Sequence, residues 1–253
     1  MSDFELLEPT PHLCRKRDTG RIFVLKSFNS RDLRNSSEQT ILGMLRTLDA
    51  PFLPRVYWSF RDNDIYRMVM EYYPRHNLSG QLARYGVLSS AHALFYACEI
   101  AEAVSALHAT GIVHRNINPE SVLIDSEGHV ILSGLDHARI VEPSGKVQGV
   151  IEVAPETKGY QAPEVLLGWA HDFTVDCWGY GLLLHFMLSS LNPFQLGGED
   201  RTSLERKIIH DPIDLHAALQ PPARDLIVKC LERNPAIRLN INAMGKHPYF
   251  VNV

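Results

Sequence analysis

The hydrophobic pattern of this chain changes period at Pro74, and that change constrains the fold more than any other feature. Before it, short apolar and aromatic runs read as strands: FELL at residues 4–7, RIFVLKSF at 21–28, RVYWSF at 55–60 and YRMVMEYY at 66–73. Between the second and third, SSEQTILGMLRTL predicts one helix. Ser36 or Ser37 serves as its cap, and Ile41, Leu42, Leu45 and Leu48 lie on one face. After Pro74 the pattern is helical. SSAHALFYACEIAEAVSALHATG opens on serine, closes on Gly111 and spaces Leu94, Ala97, Ala101, Val104 and Leu107 as one stripe. Further helices are predicted at residues 175–188, 204–209, 222–231 and 241–245. Strands followed by helices imply an α+β fold. The expected organisation is a single domain over residues 1–253, with a small β-rich lobe at about 1–71, a hinge at 71–74 and a larger α-helical lobe at about 75–253.

Bulk properties remove several function classes. A net charge of −4 gives no reason to expect nucleic acid or an anionic membrane as partner. The most apolar stretch, residues 179–191, is too short to span a bilayer and carries His185. Cys14, Cys98, Cys177 and Cys230 are far apart and form no zinc pattern, so reduced, buried thiols are expected. The first residues, MSDFELLEPT, lack the basic-then-apolar progression of a secretory signal, and a cytoplasmic or nuclear protein is expected.

Chemistry is concentrated in six short phrases. FVLK ends on Lys26; IVHRNINPESVLI runs from Ile112 to Ile124; HVILSGLDHA runs from His129 to Ala138. Ala162-Pro163-Glu164, the run from Asp176 to Gly181 (DCWGYG) and NPAIRL with Arg238 follow. Singly, Lys26 is an ordinary strand lysine and Glu38 a glutamate favoured near a helix N-terminus. In this order and spacing, from about Phe4 to Phe250, the set resembles the eukaryotic protein kinase family, in its Ser/Thr branch similar to protein kinases A and C. The resemblance implies the two-lobed protein kinase fold. It implies that Lys26 would hold nucleotide phosphates and pair with Glu38, and that Val24, Met70, Glu71, Tyr73 and Leu123 line a vestigial nucleotide site.

The same alignment exposes losses. Asn116 stands where the family has the aspartate that accepts the substrate proton, Asn118 where it has a lysine that steadies the phosphate, and Ser121 where it has a metal-binding asparagine. Gly134, Leu135 and Asp136 stand in the place of Asp-Phe-Gly, so the metal-binding acid is glycine and an acid has appeared two positions later. An extended chain points residues i and i+2 the same way, which makes Asp136 a conceivable shifted ligand, beside the plainer reading of a surface loop acid. The stretch that should read G-x-G-x-x-G, LLEPTPHLCRKRDTGRIF, keeps only Gly20, carries Pro9 and Pro11, and is shorter than the family hairpin. Val24 adds bulk where the family has alanine against adenine. Val153 replaces the phosphorylatable threonine of the activation segment and Thr157 matches its inner threonine; Glu152 and Glu156 are read first as solvated loop charges, with a contact to Arg115 in place of a phosphate as the alternative.

What the fold needs is kept. The resemblance assigns structural roles to His114, Arg115, Asp176 and the pair Glu164–Arg238, and an apolar column to His114, Leu135, Val56 and Leu42. The expected function is a pseudokinase, a kinase fold with little or no phosphoryl transfer, acting as scaffold or allosteric partner of other signalling proteins, an active kinase among them. ATP is expected to bind weakly or not at all, and magnesium not to bind. The alternative is a divergent active Ser/Thr kinase that uses Lys26, Asp136 and Glu120 in changed roles.

Overall fold

A computed structural model describes residues 3–29, 37–48, 50–74, 77–142, 144–148, 155–194 and 200–251. Ser36, Glu152 and Val153, and the side chains of Ser37, Glu38 and Glu156, lie outside the described residues.

The small lobe is a five-stranded antiparallel sheet. Its strands are β1 (Phe4–Leu7), β2 (Thr10–Lys16), β3 (Ile22–Asn29), β4 (Val56–Asp62) and β5 (Ile65–Glu71), in the order β1-β2-β3-β5-β4. Alternation divides β3 between two environments. Phe23 and Leu25 pack with Phe4, Cys14 and Val69 on one face. Val24 and Phe28 pack against the main core on the other, and Lys26 sits between them in sequence on that same face. Helix α1 (Ser37–Leu45) buries Ile41, Leu42 and Leu45 of the predicted face, while Leu48 follows the helix and is part-buried.

The large lobe is built on α2 (Leu78–Tyr85), α3 (Ser90–Ala109), α4 (Pro163–Leu166), α5 (Thr174–Ser189), α6 (Arg201–His210), α7 (Pro221–Cys230) and α8 (Ile241–Met244). Two small antiparallel ribbons lie on it, β6 (Ile112–Val113) with β9 (Arg139–Ile140), and β7 (Val122–Ile124) with β8 (Val130–Leu132). The long helix α3 is capped by Ser89, whose side chain accepts from the His92 amide. Its buried arc is broader than predicted: Ala93, Tyr96, Ala97, Ile100, Ala103, Val104 and Leu107 face inward, while Leu94 and Ala101 fall on the flank.

Helix α5 is buried almost all round, as suits the centre of a lobe. Two of its glycines are required by close approach. A Cβ on Gly179 would stand 2.9 Å from the carbonyl oxygen of Ile117, and one on Gly181 2.6 Å from Cβ of Cys230. The loop that carries Asn116 and Asn118 therefore rests directly on the backbone of α5. All four cysteines are free thiols; Cys14, Cys177 and Cys230 are buried as expected, and Cys98 is part-exposed because it sits at the margin of the α3 arc. No described helix is long and apolar enough to cross a membrane.

Candidate functional site

Asp176 organises the loop after β6. It lies in the first turn of α5 and is 1% exposed. Its carboxylate accepts from the His114 amide at 2.8 Å, the Arg115 amide at 2.7 Å and Nε2 of His108 at 2.8 Å. Burial disfavours its ionised form, but the His108 hydrogen bond and the amides outweigh burial and hold it below the ordinary aspartate range. That grip stabilises Arg115 with φ at +71°, a left-handed conformation that costs a non-glycine residue about 1 kcal/mol or more. His114 is fully buried and neutral, since burial lowers its pKa. Its Nε2–H donates to Ser133 O at 2.7 Å, and Nδ1 accepts the Asn116 amide at 3.2 Å. Arg115, also buried, has its pKa pushed down to about 10, by burial first and then by the charge of Arg139.

Downstream, the polar side chains bond to one another. The Asn118 amide group donates to Asn116 O at 2.9 Å and to Asn116 Oδ1 at 3.0 Å. Its carbonyl oxygen accepts from the amides of Glu120 at 2.9 Å and Ser121 at 3.2 Å. The Ser121 hydroxyl donates to Asn118 O at 2.8 Å and accepts from the Asn118 amide at 3.1 Å. Both Asn118 and Ser121 are buried. Gly134 has φ +75° and ψ +41°, and a Cβ there would stand 3.1 Å from Cβ of Ser121.

The structure brings Lys26 to Asp136, with Nζ and Oδ1 2.9 Å apart. Asp136 lies in a short 3-10 turn, Leu135–His137, whose Leu135 is buried in the core with Leu42 and Val56. Around the cleft, Val24, Glu71, Tyr73 and Leu123 are part-buried and Met70 is buried. Burial raises the Tyr73 hydroxyl to about 12. Among the described residues, no group of three or more His, Cys, Asp or Glu is arranged to hold a metal ion.

Three participants escaped the sequence reading. Arg21 and the Tyr57 hydroxyl both donate to the Glu71 carboxylate at the end of β5, and Arg21 also donates to the Tyr57 oxygen at 3.1 Å. The pairing of Phe23 with Glu71 places Arg21 there, a signal visible only once register is known. His108, on α3, completes the Asp176 cluster and has no local motif to announce it.

At the far side of the large lobe, Glu164 and Arg238 form a two-pronged ion pair at 2.5 and 2.8 Å, both side chains buried. Arg238 also donates to Glu232 O at 2.7 Å and Thr174 O at 3.1 Å, and its guanidinium lies 5.2 Å from the Trp178 ring centre.

Comparison with known proteins agrees with this architecture. Residues 10–250 match the model of the protein kinase domain. The chain is 30% identical to Protein kinase 3 of Dictyostelium discoideum over 99% of its own length and 30% of that protein's. It is 31% identical to the RAC family serine/threonine-protein kinase homolog of the same organism, over 94% of the chain and 54% of the relative. It is 32% identical to the human cAMP-dependent protein kinase catalytic subunit PRKX, over 96% of the chain and 68% of the relative. The first two relatives are thus much longer than the aligned region. A match that spans nearly the whole chain, on a β-sheet lobe followed by a helical lobe, places this chain in the protein kinase domain family.

Proposed function

We propose that this domain is a pseudokinase that works through protein contacts, as scaffold or allosteric partner of other signalling proteins, in the cytoplasm or nucleus. The observation that carries the reading is the closed hydrogen-bond network of Asn116, Asn118 and Ser121. An aspartate at 116 would accept a proton; an amide that already accepts from Asn118 does not. Losing a general base costs about 10²–10⁴-fold in rate.

The residues present do not fit a magnesium ion. The Ser121 hydroxyl is turned to the Asn118 carbonyl, Gly134 has no side chain, and one oxygen of Asp136 is committed to Lys26. That last contact also weighs against the divergent-kinase alternative, which calls on Lys26 for phosphate and Asp136 for metal. The front hairpin points the same way: only Glu8 and Pro9 separate β1 from β2, and the stretch carries none of the glycines that let backbone amides approach phosphate.

The test is ATP binding with and without Mg²⁺, by calorimetry or thermal shift, beside a peptide phosphorylation assay. Weak or absent binding, unchanged by Mg²⁺, and no turnover are expected. Micromolar, magnesium-dependent binding with phosphate transfer would overturn the reading.

A further inference from the structure

The pair between Lys26 and Asp136 joins residues 110 apart in sequence and ties β3 of the small lobe to the large lobe. Local geometry builds it. Gly134 turns the chain in the left-handed region, and Leu135 is then pinned in the core at 2% exposure. The turn is closed by the Ala138 amide donating to Leu135 O at 3.1 Å. With its neighbour held inside, Asp136 projects outward, and its carboxylate meets the amine on the cleft face of β3. The side chains are 30% and 58% exposed. A pair so wet adds little to stability. Its consequence lies in what it does to a ligand.

A nucleoside triphosphate brings several negative charges to the Lys26 amine. It must displace the Asp136 carboxylate there and then face that charge at a few ångströms. A bound cation would relieve the repulsion, but the positions that would hold one are Ser121 and Gly134. A nucleoside without phosphate meets neither obstacle. On the pseudokinase reading, we propose that Asp136 is a built-in counter-ion of Lys26: it takes the place of nucleotide phosphate, bridges the lobes without ligand, and excludes phosphorylated nucleotides from the cleft by charge.

The experiment titrates the whole chain with ATP in EDTA and, separately, with adenosine, by calorimetry. Wild type is compared with Asp136→Asn, Lys26→Met and the double variant. Asp136→Asn is isosteric and exposed, so folding is not at issue. It is expected to bind ATP about tenfold more tightly than wild type, with the gain shrinking as salt is raised. Adenosine affinity should not change, and adding Lys26→Met should erase the gain. Equal or equally undetectable ATP binding by wild type and Asp136→Asn would overturn the proposal. So would a gain that survives Lys26→Met or extends to adenosine. Failure of the pseudokinase reading shows differently, as Mg²⁺-dependent binding or phosphate transfer by wild type.

Discussion

Removing the Arg238 guanidinium should cripple this fold, although the residue is far from any chemistry. In the structure Arg238 is 4% exposed and Glu164 2%. Arg238→Ala leaves a carboxylate in the interior with neither of its two donors, and takes the Nε donor from the Glu232 carbonyl and the Nη1 donor from the Thr174 carbonyl. Breaking a buried pair from one side costs about 3–5 kcal/mol, because the remaining ion is desolvated without compensation. The contact over Trp178 is lost as well. Domains of this kind hold only about 5–15 kcal/mol. With a urea m-value of about 2–3 kcal/mol/M, the midpoint should fall by roughly 1–2 M. Replacing both partners by Glu164→Gln and Arg238→Met should recover much of the loss, since no unpaired charge remains. By contrast Asn116→Ala removes one part-buried acceptor, at a cost of about 0.5–1.5 kcal/mol. Denaturation followed by circular dichroism measures all three. If Arg238→Ala shifted the midpoint no more than Asn116→Ala, the pair would be hydrated in solution and the assigned cost wrong.

Restoring Asp at Asn116, Asn at Ser121 and Asp at Gly134 together should not recover turnover on a generic peptide, because phosphate positioning by the front hairpin is still missing. The same triple variant should melt below wild type, since a side chain at 134 in the left-handed region meets residue 121 at 3.1 Å even before that residue is enlarged. Asn116→Ala should leave partner capture intact; loss of the cellular role without unfolding would sink the scaffold reading. For pH, the Glu99 hydrogen bond at 2.5 Å raises the His129 pKa above its ordinary 6.5. The folded state therefore holds that proton more tightly, so the contribution is complete below about pH 6.5 and is lost as pH rises through the higher folded value. The denaturation midpoint should fall over that window, and His129→Gln should flatten the fall.

The fold was legible where segments were long and periodic. Helix α2 was missed because eight residues with only Leu78 and Leu82 buried make too short a window for periodicity, although Asn77 caps it through the Gly80 amide at 2.9 Å. Strand β2 was hidden by Pro11. Its ladder with β3 involves Leu13 to Arg15, so the missing amide of Pro11 falls outside that pairing and breaks nothing there. At the site, the loop from His114 to Ser121 stood out in the sequence because its residues form one continuous phrase. The link from Lys26 to Asp136 did not, since no local pattern encodes a distance across 110 positions.

The substitutions make electrostatic sense as a group. In the family pattern, the positions of Asn116, Asn118 and Gly134 carry an acid, a base and an acid, which phosphate and metal would balance. Without those ligands, each would be a charge to be hydrated or paired at a site where Asn118 is 1% exposed. Here all three are neutral, the Asn118 amide is satisfied within the loop, and Asn116 Oδ1 accepts from it. Lys26, at the position that the resemblance matches to the family's strand lysine, keeps its charge, and Asp136 stands 2.9 Å from it. It follows that single reversions should be worse than none. Asn118→Lys would set an ammonium against the Glu120 and Ser121 amide donors, which would lose their acceptor, and would disrupt four hydrogen bonds at once. At about 1–3 kcal/mol for each buried group left unsatisfied, that loss is comparable to the whole cost of breaking Glu164–Arg238. The direct check is whether Asn118→Lys lowers the urea midpoint more than Asn118→Ala. A Lys variant as stable as wild type would mean that the loop opens to water easily, and that its closed network is not what holds this site together.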